Sequence, residues 1–116
     1  MADEILDVNE FMERVQDDKE LLLELLDIFV NDYREKAKLI REAVSGSDYE
    51  QIKSIAHSLK GASGNISAKK LRETFVKLEE LGKKSDTSGA DEVLSAMDQQ
   101  FEELSGRIES VKEELK

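Results

Sequence analysis

The chain of 116 residues has no cysteine, no proline and only one histidine. Without cysteine there is no disulfide framework and no thiolate metal site. A di-iron helical bundle would need paired Glu-x-x-His motifs, and one histidine with Ser54 three residues before it cannot supply them. Neither a metal nor a cofactor is expected. There is no glycine-rich phosphate loop and no kinase signature, so the chain should have no ATP site of its own. Long apolar runs are missing too: "LLLELLDIFV" is interrupted by Glu24 and Asp27 and is too short to cross a bilayer. The opening "MADEILDVNE" lacks the basic and apolar regions of a signal peptide. These absences lead us to expect a soluble, cytoplasmic protein.

What is present favours helix. Charged residues make up 38% of the chain, and Leu, Glu, Lys and Ala are abundant. The length suits one domain spanning residues 1–116. The net charge of −10 argues against nucleic acid and anionic membranes as partners. The charge is uneven, however. Residues 51–72 carry no Asp or Glu but hold Lys53, Lys60, Lys69, Lys70 and Arg72, a basic window around His57. Chance is the competing explanation for that window.

The apolar spacing predicts five helices. Asp7 or Asn9 should cap a short first helix carrying Val8, Phe11, Met12 and Val15. Asp17, with Glu20 three residues on, should open a long second helix. Its stripe is Leu22, Leu25, Leu26, Phe29, Tyr33, Ala37, Ile40 and Val44. Leu21, Ile28 and Leu39 lie off that stripe and suggest contact with more than one neighbour. Ser47 and Glu50 form a second capping pair. The third helix should run from about Tyr49 to Ala62 and end near Gly64 and Asn65. Ser67 should cap a fourth helix facing inward through Leu71, Phe75, Leu78 and Leu81. After a loop, "GKKSDTSGAD", Thr87 or Ser88 should start the fifth. The expected fold is all-α, an antiparallel up-down four-helix bundle with the short N-terminal helix as a lid.

On a helical wheel His57 lies about 150° from the apolar centre of the third helix, on the solvent side. Lys53 and Lys60 flank it, and Gly61 and Gly64 share its face. An interior glycine costs about 1 kcal/mol relative to alanine. Clearance for something approaching the imidazole explains Gly61; for Gly64, helix termination explains it equally well. A neutral, exposed imidazole is a competent nucleophile, and a lysine one turn away would stabilise incoming negative charge. Ser54 and Ser58 lie too close along one helix to build a nucleophilic triad with it. This chemistry fits phosphoryl transfer between proteins.

The stretch "AHSLKGASGNISAKKL", followed by "KLEE", resembles the signature of histidine phosphotransfer (HPt) domains. Ala56, His57, Leu59, Lys60, Gly61 and Ser63 match it, as do Leu78 and Glu79, and the helix layout is similar over essentially the whole chain. The resemblance implies that His57 carries a phosphoryl group on Nε2, aided by Lys60, while Gly61 lets a receiver domain dock. It also implies a role for Glu79, which could accept from Nδ1; the alternative is an ordinary solvated glutamate. Lys53, Ser54, Gly61, Gly64, Asn65 and Lys83 complete the expected docking face. The implied partners are a histidine kinase and response-regulator receiver domains, met transiently by a monomer. The family commonly has glycine where this chain has Ser67. The alternative function is a non-catalytic helical adaptor bundle with an incidental surface histidine.

Overall fold

The computed structural model describes residues 4–115, and every regular element among them is a helix. These are α1 (Val8–Arg14), α2 (Lys19–Ser45), α3 (Tyr49–Asn65), α4 (Lys69–Lys83) and α5 (Ala90–Glu114). Helix α2 packs on α3 and α5, α3 on α4, and α4 on α5, which closes a ring of four. Short connections reverse the chain each time, giving the antiparallel up-down bundle. Leu22, Leu26, Leu59, Phe75 and Leu104 are among the fully enclosed side chains of its core.

The helix starts fall one residue beyond several expected caps, for one shared reason. Helices α1 to α4 each end in a Schellman motif, with a left-handed residue one step past the C-cap. Gln16 (φ 55°), Ser47 (φ 51°), Ser67 (φ 62°) and Ser85 (φ 53°) fill that place, and Asp17 is left-handed too (φ 62°). In the α3–α4 turn the Ala68 amide donates to Ser63 O at 2.9 Å and the Ser67 amide to Gly64 O at 3.1 Å. In these turns the left-handed residues belong to the end of the preceding helix, so the N-cap falls on the next residue, which has negative φ. Asp18 therefore caps α2 in place of Asp17, accepting from the Leu21 amide at 3.0 Å. Asp48 caps α3 in place of Ser47, accepting from Gln51 at 3.2 Å. Ala68 stands at the N-cap of α4 without a side-chain bond, so Ser67 does not cap it. Left-handed Gly89 (φ 76°) starts α5, and neither Thr87 nor Ser88 does. Gly64 stays helical; the reversal falls on Ser67, which accounts for the glycine common there in the resembling family.

Helix α2 meets both α3 and α5, as expected. Leu21, Ile28 and Leu39 are nonetheless 38, 56 and 49% exposed, with Ile28 beside Ala62, Asn65 and Ile66 at the end of α3 and Leu39 beside Gln51 and Ile55. Two further expectations change. The buried stripe of α2 ends on Ala43, with Val44 only half-buried. Gly82 lies inside α4, which runs to Lys83, and not in the following loop.

At about 1.5 Å per residue α2 and α5 are some 15 Å longer than α3 and α4. Helix α1 occupies the overhang, as the lid expected from the sequence. It inserts Phe11, which is 1% exposed, and grips the α3–α4 turn. The Asp7 amide donates to Ser67 O at 3.0 Å, and Ser67 Oγ donates to Glu10 at 2.8 Å. Lys69 adds a 2.9 Å ion pair to Glu10.

Candidate functional site

Histidine 57 sits midway along α3 with its side chain 68% exposed. Its geometry begins one turn away, where α3 and α4 touch backbone to backbone. A Cβ added to Gly82 would lie 2.7 Å from the Lys53 amide nitrogen and 2.9 Å from Tyr49 O. Only glycine admits so close an approach. The two helices run antiparallel, so one turn forward on α3, from Lys53 to His57, matches one turn back on α4, from Gly82 to Glu79. The glycine contact thus brings the carboxylate to the imidazole.

Glu79 is nearly enclosed, its side chain 8% exposed. Oε2 lies 2.8 Å from His57 Nδ1, and Oε1 accepts from Lys60 Nζ at 2.8 Å. The Lys60 hydrogen bond holds the Glu79 carboxyl below the usual carboxylate range; the His57 bond and the charges of Lys60 and Lys83 add to it, against the pull of burial. An ionised carboxylate only accepts. The proton in the 2.8 Å contact therefore belongs to Nδ1, and the Nε2 lone pair faces solvent. Glu79 is not an ordinary solvated glutamate. Of the residues singled out in the sequence, His57, Lys60 and Glu79 form one bonded unit.

The remaining candidates surround that unit more loosely. Lys53 is half-buried and pairs with Glu50 at 3.7 Å. Lys83 is exposed and lies 3.9 Å from Glu80. Ser54 and Asn65 are exposed. The two glycines differ. A Cβ on Gly61 would meet nothing within 4 Å, whereas one on Gly64 would come 3.4 Å from Cδ of Arg72, whose side chain lies across it. Gly61 is open ground; Gly64 is a bed for Arg72.

Two contributors escaped the sequence reading. Gly82 was hidden by its place in an apparent loop, and no local signal separated it from the turn glycine Gly89. Lys36 reaches from α2 to Ser58 Oγ at 2.6 Å while pairing with Asp32 at 3.0 Å, setting a second ammonium beside the histidine's helical turn. Its spacing from Asp32 reads as an ordinary surface pair, which conceals the cross-helix reach.

A nucleophilic nitrogen in solvent, a fixed tautomer and neighbouring cations suit the uptake and release of a phosphoryl group. Comparison with known proteins decides the family. The model of the Hpt domain matches residues 24–110. The chain belongs to the Hpt domain family. Histidine phosphotransfer in a two-component phosphorelay is the function of this family, whose members are phosphocarriers that meet histidine kinases and response regulators. The fold agrees. The crystal structure of histidine-containing phosphotransfer protein B (HptB) from Pseudomonas aeruginosa PAO1 superposes with a TM-score of 0.76 at 26% identity, over 96% of this chain and 94% of that one. No curated protein matches the chain. Among the described residues, no helix of this Hpt bundle is long and apolar enough to cross a membrane.

Proposed function

We propose that His57 is the phosphoryl-carrying residue, accepting the group from a receiver-domain aspartate or a kinase and passing it to a response-regulator aspartate. The single observation that carries this reading is the 2.8 Å contact of Nδ1 with the Glu79 carboxylate on a ring 68% exposed. The Nε2 lone pair attacks the phosphorus of an aspartyl phosphate, the P–O bond breaks, and the aspartate leaves as carboxylate. Transfer onward reverses these steps on a second receiver. Lys60 counters the negative charge that gathers at the phosphoryl oxygens. Gly61 keeps the approach clear, and Lys53, Ser54, Gly64, Asn65 and Lys83 border the docking face. A face built around one side chain suits a small, transient interface. In this reading residues 1–116 form one monomeric cytoplasmic domain without an ATP site.

The test is to incubate the protein with a phosphorylated receiver domain. It should acquire acid-labile, alkali-stable phosphate, and His57→Gln should acquire none. Label that persists in the variant, or never appears in the wild type, would return the chain to the adaptor reading.

A further inference from the structure

The bonded unit raises a question that positioning alone does not answer: why a charged carboxylate should face Nδ1 when a neutral amide would fix the same tautomer. On the reading that His57 is the carrier, its ring changes charge during transfer. Before transfer Nδ1 bears a proton and the ring is neutral. Once Nε2 bonds phosphorus, both nitrogens are substituted and the ring is an imidazolium. That positive charge arises 2.8 Å from Glu79 Oε2. The same charge governs departure. When the P–Nε2 bond breaks toward a receiver carboxylate, its electron pair returns to Nε2 and leaves a neutral imidazole, provided Nδ1 has kept its proton. If Nδ1 has lost it, the leaving group is an imidazolate, which is far poorer. No other reactant is needed in either direction.

We propose that Glu79 is a charge-setting positioning residue: its buried carboxylate holds phosphorylated His57 in the imidazolium form, and so keeps the phosphoryl group transferable on the alkaline side of neutrality. The charged groups on the surrounding elements are few. Helix α3 contributes Lys53 and Lys60, α4 contributes Glu79, Lys83 and Glu80, and α2 contributes Lys36 with Asp32. Lys36 and Asp32 pair with each other, as do Lys83 with Glu80 and Lys53 with Glu50. Glu79 alone both bonds the ring and carries negative charge. Lys60 sits on its other oxygen at 2.8 Å and moderates it.

The test uses the whole chain, whose single histidine makes the phosphorus signal unambiguous. Phospho-His57 is prepared with phosphoramidate and freed of donor. Phosphate release is then followed by phosphorus NMR across the range in which imidazoles titrate. The Glu79→Gln variant keeps an acceptor and loses the charge. Its release profile should move toward acid by about one pH unit, so that release is about tenfold slower on the alkaline limb and equal to wild type on the acid limb. Lys60→Met, which leaves Glu79 unmoderated, should move the profile the other way. It also provides the test should Glu79→Gln fail to fold. Profiles that superimpose, or that differ by one factor at every pH, overturn the proposal and leave Glu79 a purely geometric support. A wild type that takes no phosphate sinks the carrier reading as well, whereas phosphate taken up with an unshifted profile sinks only the assignment of charge.

Discussion

The α3–α4 pair and the α2–α5 pair face each other across one core, yet they are joined by opposite means. Helices α3 and α4 meet backbone to backbone at Gly82 and enclose a carboxylate bound to the imidazole and to Lys60. Helices α2 and α5 meet through a bulky aromatic stack, with the Tyr33 and Phe101 rings 3.9 Å apart and nearly parallel. Their ion pairs, Arg41 with Asp98 and Lys112 with Asp27, lie at the surface, where such pairs contribute about 0–1 kcal/mol. The lesson is one of tolerance. A stack of rings spaces two helices without fixing a polar atom to any ångström. A glycine contact fixes the helix separation, and with it whether an oxygen on one helix reaches a nitrogen on the other.

The largest expected effect separates the two pairs outright. His57→Gln should abolish phosphorylation and leave the thermal midpoint almost unmoved, because the ring makes one hydrogen bond and is mostly in solvent. A large loss of stability would mean the ring is a structural element of the α3–α4 seam.

Gly82→Ala should be the most damaging change to that seam. A methyl group 2.7 Å from a backbone amide cannot be accommodated without moving a helix, and overpacking of this kind costs about 1–3 kcal/mol. Both the thermal midpoint and the transfer rate should fall, since the displacement separates Glu79 from His57. An unchanged midpoint would show that the helices can slide freely, contrary to the comparison.

Acid should erase part of the difference. The Glu79 carboxyl is held below its ordinary value of 4.5. Its contribution is therefore complete above that value and disappears as pH falls toward the lower folded value. The midpoint of wild type should exceed that of Glu79→Gln at neutral pH, and the gap should close in acid. A constant gap across the series would show that the lowered carboxyl is not what links the helices.

Each pair of helices also carries an open glycine. Gly61 on α3 and Gly106 on α5 are both helical and exposed, and a Cβ at either would meet nothing within 4 Å. Alanine at each should stabilise the protein by up to about 1 kcal/mol. Only Gly61→Ala should slow transfer, because only there must a partner approach. Equal rates in both variants would remove steric clearance as the reason for Gly61.

The smallest effect belongs to Tyr33. Its hydroxyl is buried without a hydrogen-bond partner among the described residues, and burial pushes its pKa up to about 12. Removing an unsatisfied buried group is close to neutral. Tyr33→Phe should keep the stack and change stability by only a few tenths of a kcal/mol, in the stabilising direction if at all. A clear loss would reveal a partner for the hydroxyl.

The helices, the lid and the histidine's exposure were legible in the amino-acid sequence. Each follows from periodicity along one chain, which a wheel or a spacing rule reads directly. The apolar stripes survived almost intact. Most of the HPt signature, from Ala56 to Ser63, lay on one helix, with Leu78 and Glu79 on the next. The starts of the helices slipped by one because the left-handed turns at Ser47 and Ser67 compete with capping for the same residues, and a local pattern does not say which conformation wins. The contact that sets the state of the imidazole came from packing between helices. Glu79 lies 22 positions from His57 in the chain, and its reach depends on the separation and register of two helices set by Gly82. Sequence spacing carries no such distance. The same holds for Arg72 over Gly64 and Lys36 on Ser58: each is a contact between helices, fixed by packing of the whole core and invisible to the repeat within either one.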